Sequence, residues 1–191
     1  MADPVVGTRD LILQVARGMV QARGYSGLSF REVAKVVGVK SASIHHHFHA
    51  KADLGAAVAR AYTVAFSDHL EKVMEAERTP ASRLAKYTGV FRNTLLSENR
   101  MCLGGMLSAE YDNLPAEVRE ASVAFADMNV RWLCRALVSS ETPGAEDGAI
   151  RERALAVFAS IEGAQLVARC RCDVKVYDAI LHGYRAVGLL P

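Results

Sequence analysis

An all-α protein is predicted, on three observations. Apolar residues recur at three- and four-residue spacing from Thr8 nearly to the end of the chain. No stretch alternates apolar with polar residues as a half-buried strand would. Glycine, proline and short polar clusters fall between the periodic stretches, where helices have to stop. Together they predict about nine helices, three short ones ahead of a larger helical body.

The first helix runs from Thr8 to Arg23, with Leu11, Ile12, Val15, Ala16, Met19 and Val20 at helical spacing and Gly24 as its stop. Ser29 followed by Glu32 reads as a capping box, which starts a second helix at Phe30 and gives it Val33, Ala34 and Val37 as an inner face. Gly38 closes that helix in the left-handed conformation. A third helix follows Val39 and sets Ile44 and Phe48 one turn apart, facing the second. Two short helices joined by a glycine turn make a helix-turn-helix.

Lys51 to about Glu77 is the next helix, with one stripe of Leu54, Val58, Ala61 and Ala65 and another of Tyr62, Phe66, Leu70 and Val73. Two stripes require two neighbours. Thr79-Pro80 opens the fifth helix, where proline in the first turn misses no donor, and Leu84, Thr88, Phe91 and Leu95 face inward. After the Ser97–Arg100 break a short helix covers Met101 to Asn113, with Cys102, Met106 and Leu107 inward. Pro115 begins a long helix to about Ser140 that buries Val118, Phe125, Met128, Trp132 and Leu133. Ser139 to Gly148 is the clearest loop. Two helices remain, Ala149 to Arg171 with Leu155, Phe158, Ile161 and Leu166, and Asp173 to Gly188 with Tyr177, Ile180, Leu181 and Tyr184.

Composition narrows the function. No run of about twenty apolar residues is present, and Met1 to Asp10 lacks the apolar core of a signal peptide, so a cytoplasmic location without membrane contact is expected. Cys102, Cys134, Cys170 and Cys172 match neither a metal nor a disulfide spacing. The net charge is only +2, but residues 1–55 hold seven Lys/Arg against four Asp/Glu plus four histidines, and the rest of the chain is near −1. A basic head suits phosphate. His45 and His49 are one helical turn apart, yet no carboxylate or cysteine nearby completes a metal set, so neither a metal nor a cofactor is expected. No phosphate loop, Gly-x-Ser-x-Gly or His-Glu-x-x-His occurs, and His69 and His182 stand alone, which argues against an enzyme.

The third helix offers Lys40, Ser41, Ala42, Ser43, His45 and His46 outward. Small and hydroxyl residues at a helix start allow close approach to a groove, where serine meets base edges and alanine a thymine methyl. Arg31, Ser41 and Ser43 are the candidates for base contact, with Lys40, His45, His46 and Lys51 for phosphates.

Arg23-Gly24-Tyr25, Leu28 to Ala34, Gly38 to Phe48 and Lys51-Ala52-Asp53-Leu54 stand in the order and spacing of one family, and over about fifty-five residues the sequence resembles the TetR family of transcriptional repressors. Lys40 replaces the serine that often caps the family's recognition helix, His45 its tyrosine, and Ala50 the serine that often caps the next helix. The resemblance implies a helix-turn-helix DNA-binding domain over residues 1–52 and an effector-binding and dimerisation domain over 53–191. It also implies a homodimer, a palindromic double-stranded DNA operator, and release by a small molecule. A four-helix seam from both subunits would use Phe158, Ile161, Gln165, Tyr177, Ile180, Leu181 and Tyr184.

Met101-Cys102-Leu103-Gly104-Gly105-Met106-Leu107-Ser108-Ala109-Glu110 is similar to a stretch in a TetR branch that includes repressors sensing electrophiles and reactive unsaturated or carbonyl compounds. A thiolate is the nucleophile for such compounds, and Cys102 near a helix start, close to Arg100, is the candidate sensor, the alternative being a small apolar filler or simple pocket lining. Tyr62, Phe66, Phe91, Leu95, Met106, Glu110, Phe125 and Trp132 are the other expected pocket residues. The competing expectation is a regulator of efflux genes that answers a noncovalent apolar cation, with Glu110 as its acid.

Overall fold

A computed structural model describes residues 7–138 and 147–191. Among these residues there are nine α-helices, one 3₁₀ turn and no strand. They are α1 (Thr8–Arg23), α2 (Phe30–Val37), α3 (Ser41–His47), α4 (Lys51–Ala76), α5 (Pro80–Leu96), α6 (Leu103–Ala109), a 3₁₀ turn (Tyr111–Asn113), α7 (Ala116–Leu137), α8 (Asp147–Cys170) and α9 (Val174–Ala186). The expected Ser139–Gly148 loop lies almost wholly outside the described residues.

The chain forms two compact units. One comprises Met1–Thr63 and Leu103–Phe125, the other Val64–Cys102 and Ala126–Pro191.

In the first unit α1 packs on α2 and α6, and α2 on α3. Ile12, Val33, Ile44, Leu54 and Val118 are fully buried in its core. Two glycines turn the chain with positive φ, Gly24 (+76°) after α1 and Gly38 (+81°) after α2. The start of α2 differs from expectation. Ser29 is the N-cap residue but its side chain makes no cap bond. Glu32, the other half of the expected capping box, instead accepts from Arg23 Nη2 at 2.6 Å. At α4 the missing serine is offset from the other side, because Asp53 Oδ2 accepts the Ala50 N–H at 2.9 Å.

In the second unit α8 packs on α9 and α5. Thr79 and Ser82 form a reciprocal capping box around Pro80. The break after α5 is two left-handed residues, Glu98 and Asn99, with the Asn99 amide donating to Arg169 O at 3.0 Å. Ala61 and Ala65 on α4 and Leu155 and Leu166 on α8, expected on inner stripes, are exposed; the expected Met101–Asn113 helix is reduced to α6 plus the 3₁₀ turn; and α7 ends at Leu137. No helix among the described residues is long and apolar enough to cross a membrane.

Candidate functional site

The head presents α3 by burying one side of it. Ile44 and Phe48 are inside, while Lys40, Ser41, Ala42, His45 and His46 are exposed and Ser43 is half-buried. Lys40 takes the N-cap position with extended backbone, and its carbonyl accepts the Ser43 N–H at 2.9 Å. Its side chain supplies charge where a capping oxygen would ordinarily sit. The His45 ring packs edge-on against Phe30, with centroids 4.8 Å apart. Arg31 is exposed on the first turn of α2. Lys51 is more constrained than expected: its ammonium lies 4.6 Å from the Tyr25 ring centroid and donates to Ser26 O at 3.3 Å.

The nine expected pocket residues divide between the units. Tyr62, Met106, Glu110 and Phe125 belong to the first, and Phe66, Phe91, Leu95, Cys102 and Trp132 to the second. In the first unit the Tyr62 and Phe125 rings are 5.4 Å apart, and Gly104 lies against Phe125 so closely that an added Cβ would come within 2.2 Å of it. This close approach accounts for one of the two adjacent glycines. Glu110 is placed otherwise than the pocket expectation required. Its Oε2 accepts from the Ser26 N–H at 3.0 Å, fastening the end of α6 to the turn after α1.

The second unit holds a buried polar interior. Tyr87 stacks on Trp132 at 5.3 Å, with its hydroxyl donating to Asn129 Oδ1 at 2.8 Å and the Trp132 indole donating to Leu70 O at 2.9 Å. Phe66 meets Tyr87 and Phe91 edge-on, and Phe91 lies tilted against Tyr87. Cys102, 1% exposed, immediately precedes α6, and its N–H donates to Gln165 Oε1 at 2.9 Å while Gln165 Nε2 donates to Phe91 O at 2.9 Å. Tyr177 donates to Thr88 O at 3.0 Å. One turn before Gln165, both carboxyl oxygens of Glu162 are buried, and no nitrogen or oxygen donor among the described residues reaches them. Burial pushes the Glu162 carboxyl up to about 7, offset in part by the Cys102 thiol acting on it as a donor. Arg100, the expected activating charge, has its Nη2 on Glu98. The immediate electrostatic neighbour of the thiol is therefore acidic.

Four of the seven expected seam residues are already used inside their own unit: Ile161, Gln165 and Tyr177 are fully buried, and Leu181 is 5% exposed. Phe158, Ile180 and Tyr184 are half-buried. The apolar side chains that α8 leaves exposed are Leu155, Leu166 and Val167, on the face that also carries Ala156 and Ala159. Sequence reasoning missed Asn129, Glu162 and the partnership of Tyr87 with Trp132. A glutamate within a helix carries no local signal of burial.

A helix-turn-helix whose third helix shows its start outward, joined to an all-helical body, defines a class of helical DNA-binding regulators. Residues 12–58 match the family model of bacterial regulatory proteins, tetR family. A TetR transcriptional regulator from Legionella pneumophila superposes with a TM-score of 0.88 at 28% identity, over 97% of this chain and 99% of that one. The reduced form of NemR from Escherichia coli superposes at 0.78 with 23% identity, over 93% and 95%, a likeness of fold. In sequence the chain is 31% identical to the transcriptional regulator AcuR of Cereibacter sphaeroides over 104 residues, 53% of this chain and 48% of that protein. The chain spans about half the length of the curated relatives it matches. Residues 12–58 are a TetR-family DNA-binding domain, and the chain is similar in fold to TetR-family transcriptional regulators along its length.

Proposed function

We propose that this chain is a cytoplasmic, non-enzymatic repressor that binds a palindromic operator as a homodimer and lets go when a small effector occupies the second unit. The exposed Lys40-Ser41-Ala42 start of α3, held by a fully apolar inner face, is the observation that carries the DNA-binding part. Arg31, Ser41, Ala42 and Ser43 are assigned to base edges, and Lys40, His45 and His46 to phosphates. Lys51 joins the phosphate set, with its ammonium held by the Tyr25 ring and the Ser26 carbonyl.

Two recognition helices must sit about 34 Å apart to read one face of a palindrome, so the repressor needs a second copy. The exposed face of α8 around Leu155, Ala159, Leu166 and Val167 supports that seam better than the buried residues do. For the effector, the buried polar interior around Cys102, Gln165 and Glu162 supports a site in the second unit, because such groups orient a ligand within an apolar surround. Glu110, fastened to Ser26, leaves the efflux-type cation reading without its acid.

The test is binding of the purified chain to a fragment of its own upstream DNA across salt concentrations, with and without thiol-reactive unsaturated carbonyl compounds. Lys40→Ala is expected to weaken binding to all sequences alike and to lower the slope of log affinity against log salt by about 1. A loss confined to particular bases would overturn the phosphate assignment. Release of wild type that is unchanged in Cys102→Ser would remove covalent sensing at that thiol.

A further inference from the structure

Cys102 and Glu162 form a pair that neither residue's packing accounts for. Cys102 is in no disulfide, and its backbone N–H donates to Gln165 Oε1 on α8. Glu162, three residues earlier on α8, carries two buried carboxyl oxygens that no nitrogen or oxygen donor among the described residues satisfies, leaving the Cys102 thiol as the donor acting on them. A carboxyl in that position is costly, since an unpaired buried polar group forfeits its solvation. A structural glutamate would be replaced by glutamine or leucine without loss. What a carboxylate can do beside a thiol, and those residues cannot, is accept its proton.

We propose that Glu162 is the proton acceptor for Cys102, and that the pair adds small, uncharged α,β-unsaturated carbonyl compounds. The inference rests on the reading above that an effector acts at Cys102. In the step, the Cys102 Sγ–H proton moves to the Glu162 carboxylate as sulfur bonds to the β carbon and the π pair shifts toward the carbonyl. The carboxylic acid then returns the proton to the α carbon. The product is a saturated thioether with Glu162 again a carboxylate; there is no oxidant, reductant or leaving group.

The surroundings favour this over a standing thiolate. Burial and an adjacent carboxyl both disfavour a charged sulfur, so transfer during attack replaces prior ionisation. The charges acting on Tyr177 include those of Glu162 on α8 and of Asp178 and Arg185 on α9, with Arg92 of α5 paired to Asp178. Arg92 is held by Asp178 at 2.8 Å, and burial together with the Glu162 charge raises the Tyr177 phenol beyond any working pH. Burial brings the Glu162 carboxyl's own change of charge near neutrality, pushed up to about 7. The carboxylate also sets specificity: an anionic acceptor such as acrylate is repelled, whereas acrylamide is not.

The experiment follows adduct formation at Cys102 in the full chain with acrylamide, by peptide mass, from pH 5.5 to 9.5, for wild type, Glu162→Gln and Glu162→Asp. The wild-type rate is expected to rise through pH about 7 and level off. Glu162→Gln is expected to be slower by roughly 10- to 100-fold at pH 7.5, with its rise postponed to the thiol's own ionisation, above about 8.5. Glu162→Asp, which keeps a carboxylate but withdraws it, should fall between. The acrylamide-to-acrylate rate ratio, divided by that of free cysteine, should exceed one and collapse to one in Glu162→Gln. Operator binding by each variant confirms that it is folded. If Glu162→Gln reacts at the wild-type rate with the wild-type pH profile, Glu162 is not the acceptor, while the effector reading stands. If wild-type Cys102 forms no adduct although the chain binds DNA, the covalent reading and this inference fail together.

Discussion

The two units bury different kinds of chemistry. In the first, Ile12, Val20, Leu28, Val33, Ile44 and Leu54 fill the core, and the polar contacts among Arg23, Glu32, Ser26, Glu110, Lys51, Ala50 and Asp53 lie at its exposed edge. In the second, Tyr87, Asn129, Trp132, Gln165, Cys102 and Tyr177 make their hydrogen bonds inside. An apolar core specifies shape and rigidity, which is what a unit presenting α3 requires. A buried polar interior is expensive unless each group is satisfied, and it is the setting in which a ligand's own polar groups find partners. Glu162, buried and reached by no nitrogen or oxygen donor among the described residues, marks the second unit as the one with chemistry left open.

The largest test of that contrast is Glu162→Gln stability against pH. The Glu162 carboxyl is pushed up to about 7 in the folded chain from an ordinary value of 4.5, so the folded state holds the proton more tightly than the unfolded one. Its contribution is fully present below about pH 4.5 and is lost as pH rises through about 7. Wild type should therefore lose on the order of 3 kcal/mol between pH 4.5 and 8 from this group, and Glu162→Gln should remove that loss. Urea midpoints for both chains across this range measure it. Parallel curves would mean that the carboxyl is solvated and that the contrast between the units fails at its sharpest point.

Packing in the first unit predicts a smaller effect. A Cβ on Gly104 would meet Phe125 Cδ1 at 2.2 Å and Cε1 at 2.4 Å, whereas one on Gly89 of α5 meets nothing within 4 Å. Gly104→Ala should cost about 1–3 kcal/mol in thermal unfolding despite alanine's better helix propensity. Gly89→Ala should instead gain about 0.5–1 kcal/mol. Equal shifts would show that the Phe125 ring yields freely and that the first unit is not close-packed there.

Legibility in the sequence follows the same division. α1 to α3 and their glycine turns could be placed from Ile12, Ala16, Val33, Ile44, Gly24 and Gly38, because an apolar stripe with left-handed stops is local information. On α8 and α9 a helix with apolar residues on two faces does not say which face is inward; Ile161 and Tyr177 are internal, and Leu155 and Leu166 exposed. Polar partners were beyond reach for another reason. Gln165 and Cys102 are 63 residues apart, and Tyr177 and Thr88 are 89 apart, so no spacing rule connects them. Ser29 shows the converse: its sequence has the form of a capping box, yet Arg23 outcompetes the cap for Glu32.

The smallest effect tests the edge of the first unit. Glu110 Oε2 accepts from the Ser26 N–H at 3.0 Å and lies within 3.4 Å of its hydroxyl, while Gly24, at φ +76°, leaves no room for a Cβ beside Glu110 Oε1. A carboxylate accepting a backbone N–H is stronger than a neutral amide in the same place, but exposure to water weakens the difference. Glu110→Gln should therefore cost under about 1 kcal/mol of stability and leave α3 in place, with operator affinity nearly unchanged. Its signature is local: amide exchange at Ser26 should accelerate several-fold while Ile44 and Val33 keep their protection. Unchanged exchange at Ser26 would show that the turn is held by its backbone alone. Faster exchange at Ile44 would show the edge contact propagating into the core, and the separation of polar edge from apolar interior would no longer describe this unit.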